Sequence, residues 1–459
     1  MFRFQQLYRH YPMPPLRLFP LLFCLSLNVS QAAHAEKPNE LNLASMLHLD
    51  TDTSAALQAA IDSGAKRVVI PYRKEPYIVE PIFLRSSDQE IFLEPGVEIR
   101  AKSGKAFSSI YASLLVMRNV RNVTIRGEGA TLRMNRAEYP RKPHSEWRHG
   151  LKIEGCENIL VEGLTIRETG GDGVYISYLP ENVSPVAESS GKPAVIQSRN
   201  VTIRNVHAIA NYRQGLSLIS GENILIEDCV FEKTIGAPPQ AGVDIEPGND
   251  LCILKNIVVK NCISRNNAGS GFMVYLAHLR KSSPPVSIRF ENCLVEKGQW
   301  GLIAAAVGED DAVEGTVLFE NCVVKETDRA GIYVYDKAAL GATFVFKDCV
   351  LESVANRELK EAATPDEAAS PAPLARRPPP QAPIVFYHRR VPTLPRVDTF
   401  GGVHFENVKV NEWRECPLIM VGAASGEDHL QLRDIRGELI LRDGEKRDVM
   451  KLLPRKAMH

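Results

Sequence analysis

The sequence predicts an all-β fold, a single parallel β-solenoid closed at its N-terminal end by a short helix. Three observations lead there. A turn motif recurs at Lys260-Asn-Cys262, Glu291-Asn-Cys293, Glu320-Asn-Cys322 and Lys347-Asp-Cys349, and from Cys229 onward the intervals are 33, 31, 29 and 27 residues. A second element, Gly followed by apolar, any residue and apolar, recurs at Gly173-Val-Tyr-Ile, Gly215-Leu-Ser-Leu, Gly242-Val-Asp-Ile and Gly271-Phe-Met-Val. Between them lie short alternating strands with almost no helical periodicity. A unit of about 30 residues built this way cannot bury its apolar side alone, so it must stack on its neighbours. Alternate residues then point into the coil and out of it.

Taken in order, residues 1–35 read as a signal peptide. Arg3, Arg9 and Arg17 precede an apolar run from Leu18 to Leu27 and the cleavage pattern Ala33-His34-Ala35. Residues 36–65 form an entry segment, in which Thr53 to Ile61 has apolar residues at helical spacing and is expected to plug the open end of the first coil. Residues 66–355 are the solenoid. Its turns carry Asn or Asp because those side chains bond the local backbone and tolerate a left-handed conformation. Cys229, Cys262, Cys293, Cys322 and Cys349 share a register with Leu164, Val206 and Val408, which makes them small buried hydrophobes in an internal ladder. Residues 356–400 contain nine prolines and read as an extended, flexible excursion rather than a coil. Residues 401–450 return to the register as the last coils and a C-terminal cap.

Composition narrows the function classes. The 459 residues include 55 basic and 55 acidic side chains, and this balance argues against a nucleic-acid partner. No segment is long and apolar enough for a membrane helix. The expectation is a soluble, exported protein, periplasmic or extracellular, as a monomer or a homotrimer.

On these repeats the chain resembles the pectate-lyase-like superfamily of right-handed parallel β-helices, nearest its polygalacturonase-type members. The resemblance implies a single-stranded right-handed parallel β-helix and a polysaccharide or oligosaccharide substrate. It transfers residue by residue only in part. Thr169-Gly-Gly-Asp172-Gly173 resembles the motif carrying the first catalytic aspartate of polygalacturonases. Arg213-Gln214-Gly-Leu-Ser-Leu-Ile-Ser220-Gly-Glu-Asn223 keeps the frame of the next motif but has neither of its acids. Gln240-Ala241-Gly242 stands where that family has a histidine between glycines. The implied chemistry is therefore not that of a standard polygalacturonase.

Irregularity marks the candidate site. The interval from ladder residue to Gly is 9 residues at Leu164–Gly173, Val206–Gly215 and Cys262–Gly271, but 13 at Cys229–Gly242. Insertions at 178–198, 236–240 and 247–252 flank neighbouring coils, and such insertions build the walls of a binding face. Outward positions then gather His149, Lys152, Asp172, Tyr175, Arg213, Gln214, Ser217, Asp244 and Glu246 into one patch, with Tyr275 on the next coil.

Asp244 and Glu246 stand two residues apart on one strand, roughly 6–7 Å between Cα atoms. Paired carboxylates can divide acid and base roles, and a separation of about 6.5–9.5 Å suits an inverting glycosidase. Asp172 is an alternative partner. A solvated acidic face, or a calcium site with Asp244 and Glu246 as ligands, is the competing reading; otherwise no cofactor is expected. Arg213 and Lys152 open a lyase or epimerase alternative, with a basic side chain as proton acceptor. Arg213 also suits recognition of an acidic sugar, or an ion pair with a neighbouring aspartate. The leading expectation is an exported enzyme hydrolysing glycosidic bonds through Asp172, Asp244, Glu246 and Arg213. His149, Lys152, Tyr175, Gln214, Ser217 and Tyr275 would bind the substrate. A non-catalytic glycan-binding or surface scaffold is the alternative of another class.

Overall fold

The computed structural model describes residues 38–47, 52–140, 146–180, 195–356, 382–389, 397–412, 416–423 and 431–453. The signal peptide expected over residues 1–35 lies outside them. The chain winds as a right-handed parallel β-helix. An eleven-stranded parallel sheet runs from Ile82–Leu84 to Ile419–Ala423, one strand per coil, and a 22-stranded sheet forms the other faces. Leu151, Val174, Leu216, Val243, Phe272, Leu302 and Ile332 stack in register along the interior of the eleven-stranded sheet, all buried.

The entry helix forms over Thr53–Asp62, where Asp52 caps it by accepting from the Ser54 amide at 2.8 Å. Ala56, Leu57, Ala60 and Ile61 are buried. Gln58 fixes the helix to the first coil: its amide donates to the Phe83 carbonyl at 2.8 Å and accepts the Phe83 N–H at 2.9 Å.

Two side-chain ladders hold the turns. Asn158, Asn200, Asn223 and Asn256 each donate from Nδ2 to the Oδ1 of the Asn one coil before, starting from Asn122, at 2.8–3.0 Å. All five have φ between +52° and +57°. A residue with a Cβ pays about 1–2 kcal/mol in that region, and Asn reduces this with its short polar side chain. The five cysteines of the internal column are buried with free thiols, as their register predicts. Cys229 and Cys262 donate to the carbonyls of Glu227 and Lys260, each at 3.2 Å. Farther along the interior, Phe290, Phe319 and Phe346 stack with centroids 4.7 and 5.1 Å apart, and Phe405 follows at 5.5 Å.

One expectation is corrected. The 356–400 stretch is not wholly an excursion, because Ile384–His388 is a strand of the eleven-stranded sheet, in register between Ile332–Tyr335 and Ile419–Ala423. Its sequence, Ile-Val-Phe-Tyr-His, lacks the Gly that marks the other coils, and the surrounding prolines obscure its alternation. Residues 357–381 and 390–396 lie outside the described residues. At the C-terminal end, Gln431–Leu441 pairs with Lys446–Asp448, and the short helix Val449–Leu452 follows.

Candidate active site

The outward positions of the eleven-stranded sheet fall into the columns that the repeat predicts. Lys152, Tyr175, Ser217, Asp244 and Met273 are in register on successive coils. His149, Asp172 and Gln214 precede the repeat Gly or its equivalent on theirs. These side chains point away from the interior, yet most are not solvated. Asp172, Gln214 and Asp244 are 0% exposed, Ser217 1% and His149 2%. The reading of Asp244 on a solvated acidic face is thereby corrected: its side chain is withdrawn from water, with Gln214 donating to it.

Arg213 organises the acids. Its Nη2 donates to Glu246 Oε2 at 3.1 Å, and its Nη1 lies 3.8 Å from Asp172 Oδ2. Burial alone would favour a neutral guanidine, but Asp172 and Glu246 outweigh it and hold Arg213 firmly protonated. The ion pair expected for Arg213 with Asp172 or Asp244 is therefore made with Asp172, and with Glu246 as well.

Gln214 orients Asp244. Gln214 Oε1 accepts the Ala241 N–H at 2.7 Å, which fixes the amide and turns Nε2 towards Asp244 Oδ2 at 2.9 Å. Asp244 Oδ1 is buried and has no donor to accept from. Burial first, then the Glu246 charge, raises the Asp244 carboxyl well above the usual range, and Glu246 lies within hydrogen-bonding reach. A proton on Asp244 therefore satisfies three things: the buried charge, the unpartnered Oδ1 and the neighbouring carboxylate. This corrects the expectation of two carboxylates separated by a water. The Asp244 and Glu246 carboxyl groups lie within hydrogen-bonding reach of each other, and Asp172 is the separate carboxylate.

Asp172 accepts no hydrogen bond at either oxygen, although both are buried. His149 Nδ1 stands 3.2 Å from its Oδ2 and also 3.2 Å from its backbone N–H. One nitrogen cannot serve both contacts in one protonation state. Burial pulls His149 down against the opposing pull of Asp172, so the neutral ring accepts the amide and the Asp172 carboxylate remains open. Buried carboxyl oxygens of this kind call for a donor from a ligand or water.

The remaining predicted residues lie at the margins. Lys152 pairs with Glu154 at 2.8 Å, which Arg118 also contacts at 2.5 Å. Burial would raise Glu154, but these two cations hold it below its ordinary value. Neither Arg118 nor Glu154 stood out in the sequence as functional. Tyr175 does not offer an open ring face to a sugar, since His149 stacks on it at 4.4 Å and the Lys152 ammonium lies 5.5 Å from its centroid. Ser217 Oγ, between Tyr175 and Asp244 in register, is buried with no hydrogen-bond partner. Tyr275 belongs to an outer apolar group with Met273, Ile303, Tyr333 and Tyr335. Of the two acids considered as calcium ligands, Glu246 accepts from Arg213 and Asp244 accepts from Gln214. Among the described residues no group of three His, Cys, Asp or Glu converges on a metal position.

A family model for the right-handed β-helix region matches residues 119–299 and 194–358, which together span more than half of the chain. The chain belongs to the right-handed β-helix family. Three other proteins illustrate what the chain is similar to. The SPbeta prophage-derived uncharacterized protein YorA of Bacillus subtilis is 27% identical over 219 residues, 45% of this chain. Those residues are 34% of YorA, so the chain spans about a third of that relative. The family 28 exopolygalacturonase of Yersinia enterocolitica superposes with a TM-score of 0.51 at 15% identity, over 90% of this chain and 79% of that one. The pre-mature gene product 12 of bacteriophage phi29 gives a TM-score of 0.51 at 14% identity, over 86% and 52%. These likenesses concern the fold. No helix among the described residues is long and apolar enough to cross a membrane.

Proposed function

We propose that this β-helix protein hydrolyses glycosidic bonds of a polysaccharide, with Asp244 as general acid and Asp172 as general base. One observation carries the reading: a buried Asp244 whose carboxyl is raised well above the usual range by burial and by Glu246, beside a buried Asp172 that accepts no hydrogen bond, with Arg213 3.1 Å from Glu246 and 3.8 Å from Asp172. Two carboxyl groups in different protonation states are what glycoside hydrolysis requires. Asp244 would protonate the leaving oxygen, and Glu246 would hold that proton in position. Asp172 would take a proton from the attacking water. Arg213, 3.8 Å from Asp172 and 3.1 Å from Glu246, would hold Asp172 apart from the Asp244–Glu246 side of the site. That a superposable fold in Yersinia enterocolitica is an exopolygalacturonase agrees with a glycan substrate. Export, expected from residues 1–35, would bring the protein to such a substrate.

The lyase alternative is weaker on physical grounds. Arg213 cannot take a proton while Asp172 and Glu246 hold it charged, and Lys152 is engaged by Glu154.

The test is a screen of the purified protein on acidic and neutral polysaccharides, with Asp244→Asn alongside. New reducing ends without an unsaturated uronate, lost in the variant, support hydrolysis. Unsaturated product would assign a lyase. Glycan binding without turnover, unchanged in Asp244→Asn, would assign a binding scaffold.

A further inference from the structure

Arg389 lies beyond the acids, immediately after the strand Ile384–His388 that the proline-rich sequence concealed. Asp336 holds it in place: Oδ1 accepts the Arg389 N–H at 2.6 Å and Oδ2 accepts Nε at 2.7 Å. His388 Nδ1 contacts the same Oδ1 at 3.1 Å. The guanidinium lies 3.8 Å from the Tyr335 ring centroid and 5.6 Å from that of Tyr275. Ala305 stands between these tyrosines in register, and its small side chain leaves the room that the guanidinium fills. Tyr275 follows Glu246 on the next coil, since Asp244 pairs with Met273 and Ile245 with Val274. Arg389 is therefore held about two coils from Glu246, on the order of 10 Å along the solenoid axis.

Asp336 and the Tyr275 hydroxyl hydrogen-bond this cation, but only Asp336 carries an opposing acid charge. Asp336 takes the Nε edge, and among the described residues no second acid meets the Nη groups. Its side chain retains 19% exposure. With Asp336 on Nε and the Tyr275 hydroxyl within hydrogen-bonding reach, the guanidinium keeps further Nη donors that no acid among the described residues meets, and these suit an oxygen of a carboxylate or sulfate. The structural alternative, a cation serving only to neutralise Asp336, would not require its planar face to be fixed between two rings.

We propose that Arg389 is an anion-reading subsite for a glycan lying along the solenoid axis. It engages a carboxylate or sulfate carried roughly two sugar residues from the bond that Asp244 protonates. This rests on the reading of the face as a glycan site and adds to it the chemical class of the substrate.

Binding to the Asp244→Asn protein, which removes turnover from the readout, tests it by calorimetry. The probes are hexasaccharides of polygalacturonate, of sulfated carrageenan and of uncharged cellulose, together with the polygalacturonate disaccharide. At least one anionic hexasaccharide is expected to bind, and adding Arg389→Met should weaken it by about tenfold or more, as loss of a charge-assisted hydrogen bond does. Whichever of the two anionic probes responds identifies carboxylate or sulfate. The disaccharide, too short to span both positions, should bind both proteins equally. Arg389→Lys, which keeps the charge without the planar guanidinium, should fall between, and it covers the case in which Arg389→Met does not fold. Equal binding of the anionic hexasaccharide by Arg389→Met would overturn the proposal. So would a uniform loss across all probes, or no anionic binding to the parent. Hydrolysis of a neutral glycan in that last case would leave the catalytic reading standing, whereas Arg389-dependent binding without hydrolysis would do the reverse.

Discussion

Gln214 donates to Asp244 Oδ2 at 2.9 Å while its own Oε1 accepts the Ala241 amide at 2.7 Å. A backbone amide thus decides which edge of the Gln214 side chain the acid meets, and hence which Asp244 oxygen is left to carry the proton. Gln214→Leu removes a donor that favours the charged form of Asp244. Its carboxyl should rise further, so the alkaline limb of the pH–rate profile should move to higher pH. The orphaned Ala241 N–H should cost about 1–3 kcal/mol of stability. An unmoved alkaline limb would dissociate Gln214 from the acid.

Asp244 also links stability to pH. Its folded value is raised above the unfolded one, chiefly by burial. Between about pH 4, where the unfolded carboxyl titrates, and that raised value, the native state binds the extra proton. Stability from this group is therefore present in acid and falls as pH rises through the window. Asp244→Asn mimics the protonated form, with its amide able to donate to Glu246. The variant should melt above the parent at pH 8, and the difference should close towards pH 4. Melting curves across pH check it, and a gap that widens in acid would reverse the sign.

Removing Arg213 leaves Asp172 and Glu246 facing one another without a cation. Arg213→Met should destabilise the protein by about 3–5 kcal/mol, as breaking a buried ion pair does, and abolish activity. Adding Asp172→Asn to it should recover much of the stability and none of the activity. Denaturant titration of the single and double variants measures the coupling.

Asn261 tests a second ladder of turn residues, Asp228, Asn261, Asn292 and Asn321, bonded from coil to coil like the first. It sits at φ +52°, donates to Asp228 Oδ1 at 3.1 Å and accepts from Asn292 at 3.2 Å. Asn261→Ala should cost about 1–2 kcal/mol. Asn261→Gly should cost less, because glycine enters the left-handed region freely. Equal losses would mean that the side-chain bonds, not the backbone conformation, set the preference.

The repeat made the coils, the cysteine column and the columns of the candidate site readable, because a fixed period converts sequence position into spatial register. Asp172, Arg213, Gln214, Asp244 and Glu246 were placed on one face for that reason. Their burial was not readable. Alternation says that Asp244 points away from the interior, but not that the surroundings exclude water there. The contact between Asp244 and Glu246 was equally hidden, since strand spacing fixes Cα atoms and not the lean of a side chain. Arg389 escaped notice because the strand before it has no marker Gly and lies among prolines, and the value of Arg389 depends on Asp336, which is 53 residues away in sequence. Glu154 and Arg118 were missed as a pair for the same reason, since their meeting depends on adjacent coils 36 residues apart.

The proposed mechanism requires a proton on Asp244 at neutral pH, in the direction that its burial pushes it. Difference infrared spectroscopy of the parent against Asp244→Asn at pH 7 reads it directly. The prediction is a protonated-carboxyl band in the parent that is absent from the variant and disappears only well above the ordinary carboxylate range. A spectrum in which Asp244 contributes only carboxylate bands at pH 7 would contradict the assignment of Asp244 as the acid.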